Sequence, residues 1–417
     1  LERFVLLAND IPGMSVKTVL RPSTKKNEPG AVNLVFVAEE STASGFVSYD
    51  NRGTRYLGPE ELSVGAAINS AIRSGEQIGV QALTTPGYPY ELQYYSLYTQ
   101  QPLGSNGTTL NVAGNFTHNR PQFILAPLNI EGQSVELVTT LSTPVIRSRS
   151  KSLFVSGILD ILNNRSDTRT FGTTLYNDHI RSLRAGGTFY LNDSLFGGGA
   201  NQLQLQASQG LPIFNASPSN STTLSRVDGD PFFTKINYNV SRTQAITERI
   251  SILASSIGQY AFNPLLTSEQ FSYGGAVYGL AYDPAEITGD SGIAAKAELR
   301  YDAYPAKPFL SHIQYFTSYD IGAIRNKLPI TITGLPQSQS GSSVAIGARG
   351  DLNRYMSTSL LVAKPLTHIV ATKGNKDWRL FFTFTIHGET PGTESAKQPT
   401  PGAVSGAATQ AIAPYVR

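Results

Sequence analysis

Gly289-Asp-Ser-Gly292 matches the tetrapeptide that surrounds the nucleophile of serine proteases, so covalent chemistry is sought there first. Such a serine needs a histidine base, an orienting carboxylate and an oxyanion hole converging on it. None of the five histidines (His118, His179, His312, His368 and His387) stands in a protease context, and the tetrapeptide runs directly into a segment of alternating charges. Gly-Asp ahead of a strand is ordinary turn chemistry. The histidines also lack His-x-x-x-His spacing, so no metal site is expected. The absence of cysteine removes disulfides, thiolate catalysis and Cys-bearing zinc sites. Gly197-Gly-Gly199 lacks a following Lys-Ser/Thr and reads as a flexible turn rather than a phosphate loop. The expectation is therefore no enzyme, no cofactor and no metal. What remains is Lys296, Glu298, Arg300 and Asp302, four charges at every second position. They suit a wall in contact with water, serving either to line a lumen or to meet whatever passes along it.

Alternation of this kind requires a strand, whose successive side chains point to opposite faces. Opposite the four charges stand Ile293, Ala295, Ala297, Leu299, Tyr301 and Ala303. A packed soluble core could not bury the charged row without pairing it. A second strand, 377–387, sets Trp378, Leu380, Phe382, Phe384 and Ile386 on one face, against Arg379, Thr383 and Thr385 together with Phe381 on the other. Aromatic rows at strand ends favour membrane interfaces.

The rest of the chain extends the pattern. Charged residues make up 15%, against about 25% in ordinary soluble domains. The 38 glycines, 20 tyrosines and 19 phenylalanines supply turns and aromatic surface. No apolar run approaches the roughly 18 residues that a membrane-spanning helix needs. A net charge of +3, carried by scattered basic residues, gives no footprint for nucleic acid. Sixteen strands are predicted, near 45–56, 61–72, 77–85, 90–101, 108–119, 134–147, 152–163, 179–191, 201–214, 233–242, 249–262, 293–304, 310–323, 342–351, 356–365 and 377–387. The fold class is thus an all-β transmembrane barrel of about 16 antiparallel strands with a water-filled lumen. Before it, 1–9 carries one apolar helical face and 15–21 and 31–39 form a hairpin, about half of a small α+β module. The chain opens inside that helix, and a leader and further N-terminal sequence are expected upstream. The segment 270–292 is a long, glycine-rich and aromatic connection, the length at which loops become functional or disordered. From 389 to 417 the chain is rich in Pro, Ala, Gly and Thr and reads as a disordered tail.

Several phrases in order resemble a known family. Leu1-Glu-Arg-Phe-Val-Leu-Leu-Ala-Asn-Asp-Ile-Pro-Gly13 is similar to the second helix of the membrane-proximal POTRA domain in the two-partner secretion transporters, the TpsB group of haemolysin secretion and activation proteins. Tyr49-Asp-Asn-Arg-Gly-Thr-Arg-Tyr-Leu-Gly58 resembles that family's first barrel strand, and Leu97-Tyr-Thr-Gln-Gln-Pro-Leu-Gly104 and Leu141-Ser-Thr-Pro-Val-Ile-Arg147 resemble its Pro-containing strand ends. The resemblance implies a POTRA part over 1–43, a barrel over 44–388 and export of a partner exoprotein, bearing an N-terminal secretion domain, from periplasm to cell surface without nucleotide hydrolysis. It implies a monomer in the bacterial outer membrane, in contact with its lipid, with the POTRA side in the periplasm. It also implies that 270–292 is the family's lumen-inserting sixth loop, with its tip at Val277, Tyr278, Gly279 and Leu280. The family's tip arginine is here Tyr278, and its wall aspartate corresponds to Asp320 in Tyr315-Phe-Thr-Ser-Tyr-Asp-Ile-Gly322. A tyrosine hydroxyl can still donate to a carboxylate, so Tyr278 is expected to contact Asp320 or its neighbours. Alternatives stay open: a barrel-assembly or insertase relative, a passive porin, which would need no periplasmic docking module, and a soluble β-rich binding protein, which would need no detergent.

Overall fold

The computed structural model describes residues 2–22, 32–227, 229–305, 310–327 and 336–389. The expected tail 389–417 lies outside them except for Glu389, which ends a strand, and 23–31 and 328–335 lie outside them as well.

The chain begins with α1 (Glu2–Asn9) and the hairpin β1 (Met14–Pro22) and β2 (Val32–Glu40), paired antiparallel from Met14↔Glu40 to Pro22↔Val32. Leu7 is the buried residue of α1. The helix end is tied to the hairpin by Asn9, whose amide donates to the Val16 carbonyl (3.0 Å) and accepts from the Val16 N–H (2.7 Å).

Eleven strands follow: β3 (Ala43–Asp50), β4 (Glu61–Asn69), β5 (Gln77–Thr84), β6 (Leu92–Leu103), β7 (Thr108–Asn119), β8 (Ile130–Arg147), β9 (Lys151–Thr168), β10 (Thr173–Asp193), β11 (Gly199–Gly210), β12 (Thr234–Ala245) and β13 (Ile250–Ala261). Two short strands, β14 (Phe271–Tyr273) and β15 (Ile287–Gly289), pair only with each other. Then come β16 (Ser291–Ala303), β17 (His312–Arg325), β18 (Ser338–Asn353), β19 (Met356–Pro365) and β20 (Arg379–Glu389). The ring of β3 to β13 and β16 to β20 is closed, sixteen strands in all, and β20 meets β3 from Thr383↔Asp50 to Glu389↔Ser44. Closure leaves no open edge, the condition for a sheet to cross lipid, where nothing else would satisfy the backbone.

Every expected barrel strand has its counterpart, most with shifted ends, while 108–119 and 356–365 coincide with β7 and β19. β8, β9 and β10 are the longest, at 18, 18 and 21 residues, so one side of the wall stands taller than the β3 to β5 side. The additional residues are largely polar, as in Asn163 to Thr168, and carry no apolar alternation by which the sequence would declare them. No helix among the described residues is long and apolar enough to cross a membrane.

The two faces differ as the dyad pattern requires. On β17, Tyr315, Thr317, Tyr319, Ile321 and Ala323 are exposed, while Phe316, Ser318, Asp320, Gly322 and Ile324 are buried. On β16, Ile293, Leu299 and Tyr301 are exposed and Glu298 is buried. Leu380, Trp378 and Ile386 are exposed on or beside β20, whereas Phe381 is buried. The exposed apolar row is the outer face, and the α1-hairpin module docks at one rim. Arg3 donates to the Pro144 carbonyl at the end of β8 (3.0 Å), and Asp10 pairs with Arg147 (2.6 Å).

Candidate functional site

The connection from β13 to β16 covers 262–290, longer than the 270–292 expected, and its residues are mostly buried. Its β14–β15 hairpin brackets a turn that carries Val277, Tyr278, Gly279 and Leu280. Four groups of contacts fix it.

At its centre is Asp320 on β17, fully buried. Its carboxylate accepts from the Tyr273 hydroxyl (2.6 Å), the Gly279 N–H (2.9 Å), the Leu280 N–H (3.4 Å) and the Ser343 hydroxyl on β18 (2.9 Å). The hydroxyl donor is therefore Tyr273 rather than Tyr278. Tyr278 instead sets its ring 5.8 Å from the Lys296 ammonium, and Lys296 is the register partner of Asp320, so Tyr278 lies beside a neighbour of the aspartate. Val277 is half out of the cluster, at 43% exposure. Gly279 has φ of 72°, and a Cβ there would lie 2.8 Å from the Gly274 Cα; only glycine makes this turn and offers its N–H to Asp320 without strain. Gly322 has a similar role: a Cβ on it would fall 2.2 Å from a carbon of the Tyr273 ring, which lies flat on the strand. Burial, together with the adjacent carboxylate, pushes the Tyr273 hydroxyl well up, so it stays a neutral donor.

The far side of the turn is held by β20 and the turn after β3. Arg379 pairs with Asp283 (2.5 Å) and donates to the Ala281 carbonyl (2.8 Å), and Arg52 donates to the Leu280 carbonyl (3.1 Å). The guanidiniums of Arg52 and Arg379 lie over the Phe381 ring, at 4.3 and 4.9 Å respectively. Thr372 also donates to Asp283, and the Ala371 N–H to Glu286 (2.7 Å).

The near side is held at Glu269, which meets Arg184 of β10 at 2.9 Å and Lys235 of β12 at 2.7 Å, while Arg184 also reaches Asp160 of β9 at 2.6 Å. Burial alone would raise the Glu269 carboxyl, but the two cations outweigh it and hold it down at about 2. The fourth anchor is Asp290 of the protease-like tetrapeptide. It accepts from Arg226 (2.5 Å), the Leu265 N–H (2.8 Å) and the Lys327 N–H (2.8 Å), and the Ser291 hydroxyl accepts from the Ala261 N–H (3.1 Å). The tetrapeptide thus forms the junction of the connection with β16.

Apolar packing joins these anchors. Phe271, Tyr273, Tyr278, Tyr282 and Ile287 cluster with Ala294, Ile324 and Val370, and Leu280 and Ala281 pack on Phe316, Ala345, Leu361, Ala363 and Phe381.

The charged row of β16 lies on the inner side of the ring and is paired within the wall. Glu298 pairs with Lys296 (3.9 Å), Arg300 (2.7 Å) and Arg349 of β18 (2.7 Å), and Asp302 pairs with His312 of β17 (2.8 Å). No group of histidines and carboxylates among the described residues could hold a metal ion.

Sequence reasoning missed Tyr273, Glu269, Arg184, Lys235, Asp283 and Arg52. Strand parity alone would set Arg184 and Lys235 on the inner face, because they alternate with Leu183 and Ile236, but nothing local marks Glu269 or Asp283 as their counterparts.

A model of the family described as haemolysin secretion/activation protein ShlB/FhaC/HecB matches residues 31–350. The heme/hemopexin transporter protein HuxB of Haemophilus influenzae is 23% identical over 394 residues, 88% of this chain and 64% of that protein. The outer membrane transporter CdiB of Dickeya dadantii is 21% identical over 364 residues, 86% of this chain and 62% of its own length. The chain therefore spans less than two thirds of these relatives. Among solved structures, CdiB from Escherichia coli superposes with a TM-score of 0.77 at 16% identity, over 92% of this chain and 69% of that one, a likeness of fold. Over the greater part of its length, this chain belongs to the haemolysin secretion/activation protein family ShlB/FhaC/HecB, the two-partner secretion transporters of the outer membrane.

Proposed function

We propose that this outer-membrane barrel exports a partner polypeptide from the side that carries the α1-hairpin module to the cell surface, through its lumen and without nucleotide hydrolysis, and that 262–290 is the plug the polypeptide must displace. In this reading, 1–43 is the C-terminal part of a periplasmic POTRA domain and 44–388 the barrel, working as a monomer. The observation that carries it is the spread of the connection's partners around the ring. One segment touches β10, β12, β17, β18, β20 and the turn after β3. Strands so far apart in a closed ring are reached together from its interior. The wall groups that anchor the segment, Arg184, Lys235, Asp320 and Arg379, are polar or charged, so water can take over their hydrogen bonds when it leaves. The inner charges Lys296, Glu298, Arg300 and Asp302 line the same passage.

A porin reading leaves the docked module without a task. An assembly reading leaves unexplained the membership in a secretion family. The test is secretion itself. Deleting the gene removes at least one large protein from the cell surface and medium, and restoring the full-length gene returns it. An unaltered set of surface and secreted proteins in the deletion strain would overturn the proposal.

A further inference from the structure

Below the anchored connection, the inner face of β11 and β12 carries a ladder of uncharged side chains. Gln202, Gln204 and Gln206 stand at alternate positions of β11, and opposite them in register on β12 stand Ser241, Asn239 and Asn237. Asn237 donates to Gln259 (2.8 Å), but Gln202, Gln204, Gln206 and Asn239 make no side-chain hydrogen bond among the described residues, and all four are partly accessible. The sector formed by β16, β17 and β18 is different. There the cations Lys296, Arg300 and Arg349 and the carboxylates Glu298, Asp302 and Asp351 are paired with one another or with His312, and Asp320 is held by the connection and Ser343. One sector has paired its charges off within itself, whereas the other holds uncharged amide donors and acceptors in reserve.

We infer that the Gln202-Gln204-Gln206 ladder with Asn239 is a binding track for an extended polypeptide backbone, recognised without regard to its side chains. Three physical points support this. Side chains two apart on a strand are about 6.6–6.8 Å apart, the repeat of an extended peptide's own groups on one edge, so a chain lying along β11 meets an amide at every second residue. An amide both donates and accepts, matching the alternating N–H and C=O of a peptide. Being uncharged, the ladder neither traps nor repels acidic or basic stretches, whereas an unpaired charge in the wall would do one or the other. The ladder also ends in a telling place. One step above Gln206 and Asn237 come Ser208 and Lys235, and Ser208 is the register partner of Arg184. Lys235 and Arg184 are the two cations that hold Glu269. A peptide climbing the track arrives at the root of the plug.

The inference rests on the export reading for its purpose, but its test is separate. Because the chain has no cysteine, Gln204→Cys and, next to the charged sector, Ser359→Cys give single reactive sites. The probe is a synthetic Ser-Gly-Thr peptide, long enough to span the lumen and carrying one cysteine, offered to the reconstituted full chain. Disulfide crosslinking should favour Gln204→Cys over Ser359→Cys roughly tenfold, and adding Gln202→Leu and Gln206→Leu should erase the preference, the scale expected when a few net hydrogen bonds of ~0.5–1.5 kcal/mol each are lost. Asn239→Cys is a second reporter should Gln204→Cys fold poorly. Equal yields at the two walls, a preference for Ser359→Cys, or no crosslinking at either would overturn the track. If the preference holds while gene deletion leaves secretion unaltered, the export reading fails and the peptide-binding wall stands.

Discussion

Asp320→Ala is the substitution that most directly probes what keeps the connection in place. The carboxylate is fully buried and accepts from two loop donors at short range, the Tyr273 hydroxyl at 2.6 Å and the Gly279 N–H at 2.9 Å, with the Leu280 N–H further off at 3.4 Å. Hydrogen bonds to a charged group contribute about 1.5–3 kcal/mol each. Counting only the two short ones, at the lower end because water can enter the vacated space, the anchored state loses about 3 kcal/mol. At ~1.4 kcal/mol per tenfold, the ratio of anchored to displaced connection falls roughly 150-fold. Ala281 is fully buried against β19 and β20 and close in size to cysteine, so Ala281→Cys reports displacement as the rate of maleimide labelling in a chain with no other thiol. If displacement limits labelling, the rate rises in proportion. Asp320→Asn, which keeps one carbonyl acceptor, should fall between. Heat-modifiable migration of the barrel on gels checks that the variants are folded. A folded Asp320→Ala barrel that labels no faster than the parent would refute the reasoning.

Gly322→Ala should release the same anchor without touching the carboxylate, because its Cβ would lie 2.2 Å from the Tyr273 ring; faster Ala281→Cys labelling checks it, with Gly157→Ala, where a Cβ meets nothing within 4 Å, as the neutral comparison. Arg184→Ala strips Glu269 and Asp160 of a shared cation in a buried place, which costs about 3–5 kcal/mol, so the gel-measured melting temperature should drop and Glu269→Gln in the same chain should recover part of it. The Glu269 carboxyl is held at about 2, below its unfolded value of about 4.3, so its contribution is present in full above that unfolded value and is lost as pH falls toward 2. Channel conductance in planar bilayers should therefore be flat from neutral pH to about 5 as far as this anchor is concerned, and a Glu269-dependent rise within that window would contradict the assignment.

The barrel was legible because dyad alternation is a property of single strands. The row of Lys296, Glu298, Arg300 and Asp302 opposite Leu299 and Tyr301 tells lipid from lumen with no knowledge of neighbours. Strand ends were less legible: the upper parts of β8 to β10 rise beyond the apolar band, where polar residues stand on both faces. The wall aspartate came from family resemblance, and Asp320 does meet the connection. Its partner did not follow, because Tyr273 and Tyr278 are both aromatic residues of one loop, and the choice between them depends on a close approach that Gly322 permits from another strand. Glu269 and Arg184 are 85 residues apart, and no local pattern links them.

On the proposed correspondence of Tyr278 with the family's tip arginine, the anchor works differently rather than being lost. An arginine would meet Asp320 as a cation, and separating a buried ion pair leaves two uncompensated charges. Here the aspartate is met by a phenol, two backbone N–H groups and a serine hydroxyl, all neutral, and the nearest cation in register, Lys296, is engaged with Glu298. On withdrawal, only one charge must find water, and Ser343, which belongs to the wall, stays bound to it. The loop's own donors are then ordinary polar groups entering solvent. Cations act elsewhere on the connection: Arg184 and Lys235 at Glu269, Arg226 at Asp290, and Arg379 at Asp283 beside the turn. The contact at Asp320 is made by neutral donors, whereas those at Glu269 and Asp290 are buried ion pairs, so the Asp320 contact yields more readily than the roots. A polypeptide pressing on the turn would therefore meet less resistance at Asp320 than at Glu269, and the order of release follows: the Asp320 contact before the Glu269 root.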